Sequence, residues 1–134
     1  MIDIIKQIQI TNNTVMKWFL AKLVYRIICG DGKHTPQFDE QLRLINAEDE
    51  LHAFQKARLF GHREEDNFFN AAEKPVHWKF IDVCEIHELN SLNDGVEIYS
   101  RISEEENGEI YTTLTLLRAA HLQEDFVHAS MQLN

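Results

Sequence analysis

Glycine, proline and cysteine are scarce in this chain, at five, two and two residues of 134. So little glycine and proline excludes collagen-like and low-complexity architectures, and apolar residues at 44% argue for a packed core. Two cysteines, Cys29 and Cys84, are too few for a disulfide framework in a chain of this length and read as reduced thiols. Positive charge is also short, with 13 lysines and arginines against 22 acidic residues and a net charge of −9. Such a balance repels phosphate backbones, and no basic stripe longer than Lys74 with Lys79 relieves it, so a nucleic-acid partner is not expected. Long apolar runs are missing too. The densest is broken by Lys22 and Arg26, well short of the roughly 20 residues a membrane helix needs. Residues 1–15 carry Asp3 early and no basic leader region, which is unlike a secretory signal, so the expected location is the cytoplasm without membrane attachment.

Catalytic motifs are absent as well: there is no P-loop, G-x-G-x-x-G, G-x-S-x-G or H-E-x-x-H. Seven histidines invite a metal reading, with Cys84 and His87 three apart and His121 and His128 seven apart. On a strand, residues three apart point to opposite faces, so Cys84 and His87 do not share an ion. No metal, cofactor or catalytic residue is assigned.

What is present is a strong pattern of elements. Residues 37–61, QFDEQLRLINAEDELHAFQKARLFG, change hydrophobic period midway. Phe38, Leu42 and Leu44 alternate with polar residues, which predicts a half-buried strand with Gln37, Asp39, Gln41 and Arg43 outward. From Asn46, the expected N-cap, Leu51, Phe54, Ala57 and Arg58 recur at helical spacing and predict a helix with one buried stripe. Ahead of this pair, residues 17–29, KWFLAKLVYRIIC, are apolar on both faces and read as a central strand. Gly30, Asp31 and Gly32 turn it into a hairpin with the next. Residues 70–75 read as a loop, 76–89 as strand three and, after the Asn93-Asp94-Gly95 turn, 96–103 as strand four. In the tail, Asn107-Gly108 followed by Thr112, Thr113 and Thr115 suits a hairpin, whereas Leu117 to Gln123 are good helix formers and favour a helix. The expected fold is α+β: an antiparallel four-stranded sheet in the order β-β-α-β-β, then a C-terminal helix. It forms one domain over residues 16–134, preceded by an arm over residues 1–15 rich in isoleucine.

The stretches WFLAKLVYRI, GKHTPQFDEQLRLINAEDELHAFQKARLFG, REEDNFFN, VHWKFIDV and DGVEIYSRI resemble a small bacterial family catalogued as a domain of unknown function, over about residues 17–103. The resemblance implies a small, stand-alone cytoplasmic α+β domain and supplies no activity or catalytic residue.

Four charges interrupt otherwise apolar strand faces: Lys22 and Arg26 on strand one, Glu40 on strand two and Asp82 on strand three. An unpaired charge is costly in such a place. With the first hairpin centred on Lys33, Glu40 falls opposite Arg26, and the four side chains become either mutual ion pairs or a charged floor that binds a small charged ligand. Three roles follow, in this order: a non-enzymatic interaction module that forms a homodimer or binds another protein; a binding protein or modest enzyme built on the charged floor; and an inhibitor or immunity protein that caps a basic partner.

Overall fold

A computed structural model describes residues 15–132, so nearly all of the arm expected over residues 1–15 lies outside the described residues. The chain divides into two compact units, Met1–Ile98 and Tyr99–Asn134. In the first, β1 (Lys17–Cys29) and β2 (Gln37–Ala47) form a hairpin, α1 (Glu50–Arg63) follows, and β3 (Asp66–Phe69) and β4 (Pro75–Leu89) form a second hairpin. All pairs are antiparallel and the strand order is β2-β1-β4-β3. The expected α+β class, with a four-stranded antiparallel sheet and a C-terminal helix, is present.

The dense aromatic and β-branched content of β1 explains its central position. The face covered by α1 presents Phe19, Ala21, Leu23 and Tyr25, joined by Ile45 and Ala47 of β2 and by Phe80 and Val83 of β4. Between the first two strands, Gly30 and Gly32 take positive φ. The Cys29 N–H donates to His34 Nε2 at 2.9 Å, which leaves the imidazole proton on Nδ1 to donate to Thr35 O at 2.8 Å.

Several elements depart from the sequence expectation. Strand β2 runs on to Ala47, and the helix is capped by Asp49, whose carboxylate accepts from the His52 N–H; Asn46 instead reaches back to Lys17 O. The buried face of α1 is Ala53, Ala57 and Gly61, while Leu51 is exposed. Small residues four apart let the helix lie close on the sheet, and a Cβ at Gly61 would run into the Phe80 ring. Residues 96–103 form no strand, although the turn before them closes with Val96 N–H donating to Asn93 O. The fourth strand is Asp66–Phe69 instead, set by Asn70, whose carboxamide oxygen accepts from the N–H groups of Ala72 and Lys74.

The second unit contains α2 (Gly108–Gln132), as the helix formers of the tail predict. Asn107 caps it by accepting from the Ile110 N–H. Thr112 and Thr115 fit because their hydroxyls donate to the carbonyls of Gly108 and Tyr111 one turn back. No helix among the described residues is long and apolar enough to cross a membrane.

Candidate functional site

The face of the sheet turned away from α1 is where sequence and structure differ most informatively. Register places Trp18, Leu20, Lys22, Val24 and Arg26 of β1 on this second face, beside Asn46, Leu44, Leu42, Glu40 and Phe38 of β2. The apolar alternation of β2 is therefore real but looks away from the helix: Phe38, Leu42 and Leu44 are 55%, 52% and 51% exposed. Trp18 joins them at 41%, whereas Leu20 and Leu89 on the same face are buried.

The four predicted charges divide between the two faces. Hairpin pairing is centred on Gly32, not Lys33, so Glu40 stands opposite Val24 and Arg26 opposite Phe38. Glu40 accordingly pairs diagonally with Lys22 at 3.1 Å, and Arg26 lies over the Phe38 ring at 5.7 Å. The Lys22 side chain is only 18% exposed while that of Glu40 is 61% exposed, so the pair has one sheltered and one solvated end. A pair of that kind contributes about 1 kcal/mol or less, not the several expected of a buried one. On its other side Lys22 is in register with Glu85 of β4, whose carboxylate lies 3.7 Å from His87 Nε2.

Asp82 belongs elsewhere. It takes both oxygens to α1, accepting from Arg58 Nε at 2.9 Å and Nη2 at 2.8 Å. The Arg58 guanidinium and the Val83 N–H together hold its carboxyl down at about 2. Two irregularities in β4 make this reach possible, because the register slips between Lys22 and Leu23 and again between Val24 and Tyr25. The extra residues, Ile81 and Cys84, are exposed, and Val83 turns into the core.

A second polar group, missed by alternation alone, sits at the C-terminal end of α1. Gln41 donates to Asp39 at 2.6 Å and accepts from Arg43, whose guanidinium also forms a two-pronged pair with Glu64. Arg43 holds the Glu64 carboxyl below its ordinary range. Beside it, the buried Tyr25 donates its hydroxyl proton to Gly61 O at 2.9 Å, and burial, with Glu64 adding to it, pushes the phenol up. The signal was the polar run Gln37, Asp39, Gln41, Arg43, whose ends the helix C-terminus collects.

Most of these charges are taken up by one another, Lys22 with Glu40, Arg43 with Glu64 and Arg58 with Asp82. A hollow of about 870 Å³ does lie at the tip of the first hairpin, lined by Cys29, Asp31, Lys33, His34 and Lys74, but it is not built on the four predicted charges. Among the described residues no three His, Cys, Asp or Glu side chains gather as a metal site.

Residues 18–100 match the family described as a domain of unknown function, DUF4288. The chain belongs to that family. The matched stretch contains the four-stranded sheet, but for Lys17 at the start of β1, together with α1, and so both faces described above. No curated protein and no solved structure matches the chain.

Proposed function

We propose that this chain is a non-enzymatic interaction module of the cytoplasm that works by self-association, with the β2 side of the second sheet face as its surface. The observation that carries the reading is the run of Phe38, Leu42, Leu44 and Trp18, half exposed side by side on a sheet whose other face is sealed by α1. Exposed apolar surface gathered on one face marks a binding site more often than single exposed residues do. Aromatic anchors such as Trp18 and Phe38 are the residues that dominate such contacts. Both cysteines are free, which suits a reducing compartment. The charged-floor alternative loses ground because Lys22 already has Glu40 as its partner.

Gel filtration with light scattering at micromolar concentration tests the proposal, the expected mass being twice the 15.7 kDa of the chain. Replacing the half-exposed Leu44 by Asp should keep the circular dichroism spectrum of the folded chain and weaken association by about thirtyfold or more. A parent protein of single-chain mass overturns self-association. Capture of a basic partner that is lost on adding salt, by a protein that stays monomeric, would favour the inhibitor role instead.

A further inference from the structure

Resting on that reading, we infer that the contact between copies is made along the outer edge of β2, which pairs antiparallel with β2 of a second copy about a two-fold axis through Gln41. The inference starts from the unequal treatment of the sheet's two edges. An edge strand offers unpaired N–H and C=O groups, and proteins blunt it with short strands, bulges, proline or lysine. One edge of this sheet is blunted in several ways at once. There β3 has four residues, β4 opens with Pro75 and carries Lys79, and the exposed part of β4 is interrupted by two register slips. At the other edge stands β2, with 11 residues, no proline, no lysine and an unbroken register against β1. It has no strand on its outer side among the described residues.

Side chains then select one register. In an antiparallel pair centred on Gln41, Asp39 of each copy stands opposite Arg43 of the other on the α1 face, adding a second carboxylate to a guanidinium that already pairs with Glu64, while on the second face Phe38 stands opposite Leu44 and Glu40 opposite Leu42. Opposite charges and aromatic–aliphatic pairs directly across strands are the favourable combinations. Moving the axis to Glu40 sets two carboxylates face to face. Moving it to Leu42 sets Glu40 against Leu44 and Phe38 against Asn46, and brings no opposite charges together. The Gln41 axis alone gives charge complementarity and apolar matching together. It produces one sheet of eight strands, four from each copy, in which the exposed Phe38 and Leu44 side chains cover one another in pairs.

Disulfide trapping tests this in full-length protein carrying Cys29→Ser and Cys84→Ser. Paired residues in an antiparallel ladder have Cα atoms about 4.5 to 5.5 Å apart, within disulfide range. Gln41→Cys should therefore shift under mild oxidation from the mass of one chain to that of two. Asp39→Cys and Arg43→Cys should each stay at one chain when oxidised alone, and cross-link when mixed before oxidation. The mixture keeps the test valid if the single change at Gln41 perturbs folding, which circular dichroism reports. Protein of dimer mass that fails to cross-link in these combinations, or cross-links at Glu40→Cys or Leu42→Cys instead, overturns the Gln41-centred pairing and leaves self-association standing. Single-chain mass for the cysteine-free parent overturns both.

Discussion

Asp82 illustrates how a charge that interrupts an apolar strand pattern can find its partner off the sheet. Its expected same-face neighbours Phe80 and Cys84 made it look like a charge stranded on an apolar face, yet Arg58, lying over the Phe54 ring at 4.3 Å, reaches it from the helix. No spacing rule reports an ion pair between a strand and a helix 24 residues earlier. The pair has a testable pH signature. The carboxyl sits at about 2 in the folded chain against an ordinary 3.8, so the folded state holds its proton less tightly than the unfolded one. The resulting stabilisation is complete above about pH 4 and is lost as pH falls toward the folded value. Both side chains are close to half exposed, which keeps the effect small through solvent screening. Urea midpoints measured between those limits should fall more steeply in the parent than in Asp82→Asn. Equal slopes would mean that Arg58 does not hold Asp82 in solution.

At the scale of elements, legibility followed how much apolar or helix-forming content each segment concentrates. α2 is readable from Leu117 to Gln123 in spite of the threonines ahead of them, and β1 and β4 declare themselves by their dense apolar and β-branched content. β3 does not, because its four exposed residues Asp66, Asn67, Phe68 and Phe69 alternate nothing; the Asn70 turn brings them against β4. Conversely, Val96, Ile98 and Ile102 alternate convincingly and form no strand, since alternation records the capacity to pair and not the presence of a partner. The bulges at Ile81 and Cys84 are invisible for a related reason: each adds one residue and so reverses the face of everything beyond it. In the candidate site, the hairpin centre was misread by one residue, which was enough to exchange Arg26 for Lys22 as the partner of Glu40. For α1 the misleading feature was residue size. Leu51 looked like core, whereas Ala53, Ala57 and Gly61 make the contact because bulk would hold the helix off the sheet. Gly61→Ala should therefore destabilise by about 1 to 3 kcal/mol through overpacking against Phe80, although alanine is the better helix former. Urea unfolding gives the sign directly. A gain in stability would show that the helix has room to move outward.

Taken as a whole, the sheet is two hairpins laid side by side, and the strand order β2-β1-β4-β3 has a consequence in time. Each hairpin closes through a short turn and needs few distant contacts. The seam between them is different, because β1 meets β4 only after α1 and β3 have intervened, from Cys29 with Val76 to Trp18 with Leu89. Closing so long a loop costs entropy before its contacts repay any of it, which makes the seam the slow event. Val83→Ala, which weakens the seam beside Leu23, should slow refolding in stopped-flow measurements. If all the lost stability appeared in the unfolding rate instead, the seam would form after the barrier. In the expected sequence of events, β2 acquires its strand shape in the first hairpin before the core closes over β1. If copies pair through β2 as proposed, a nascent chain carries a pairing-competent edge ahead of a finished fold, and the order in which neighbouring copies meet on a ribosome cluster decides who pairs with whom.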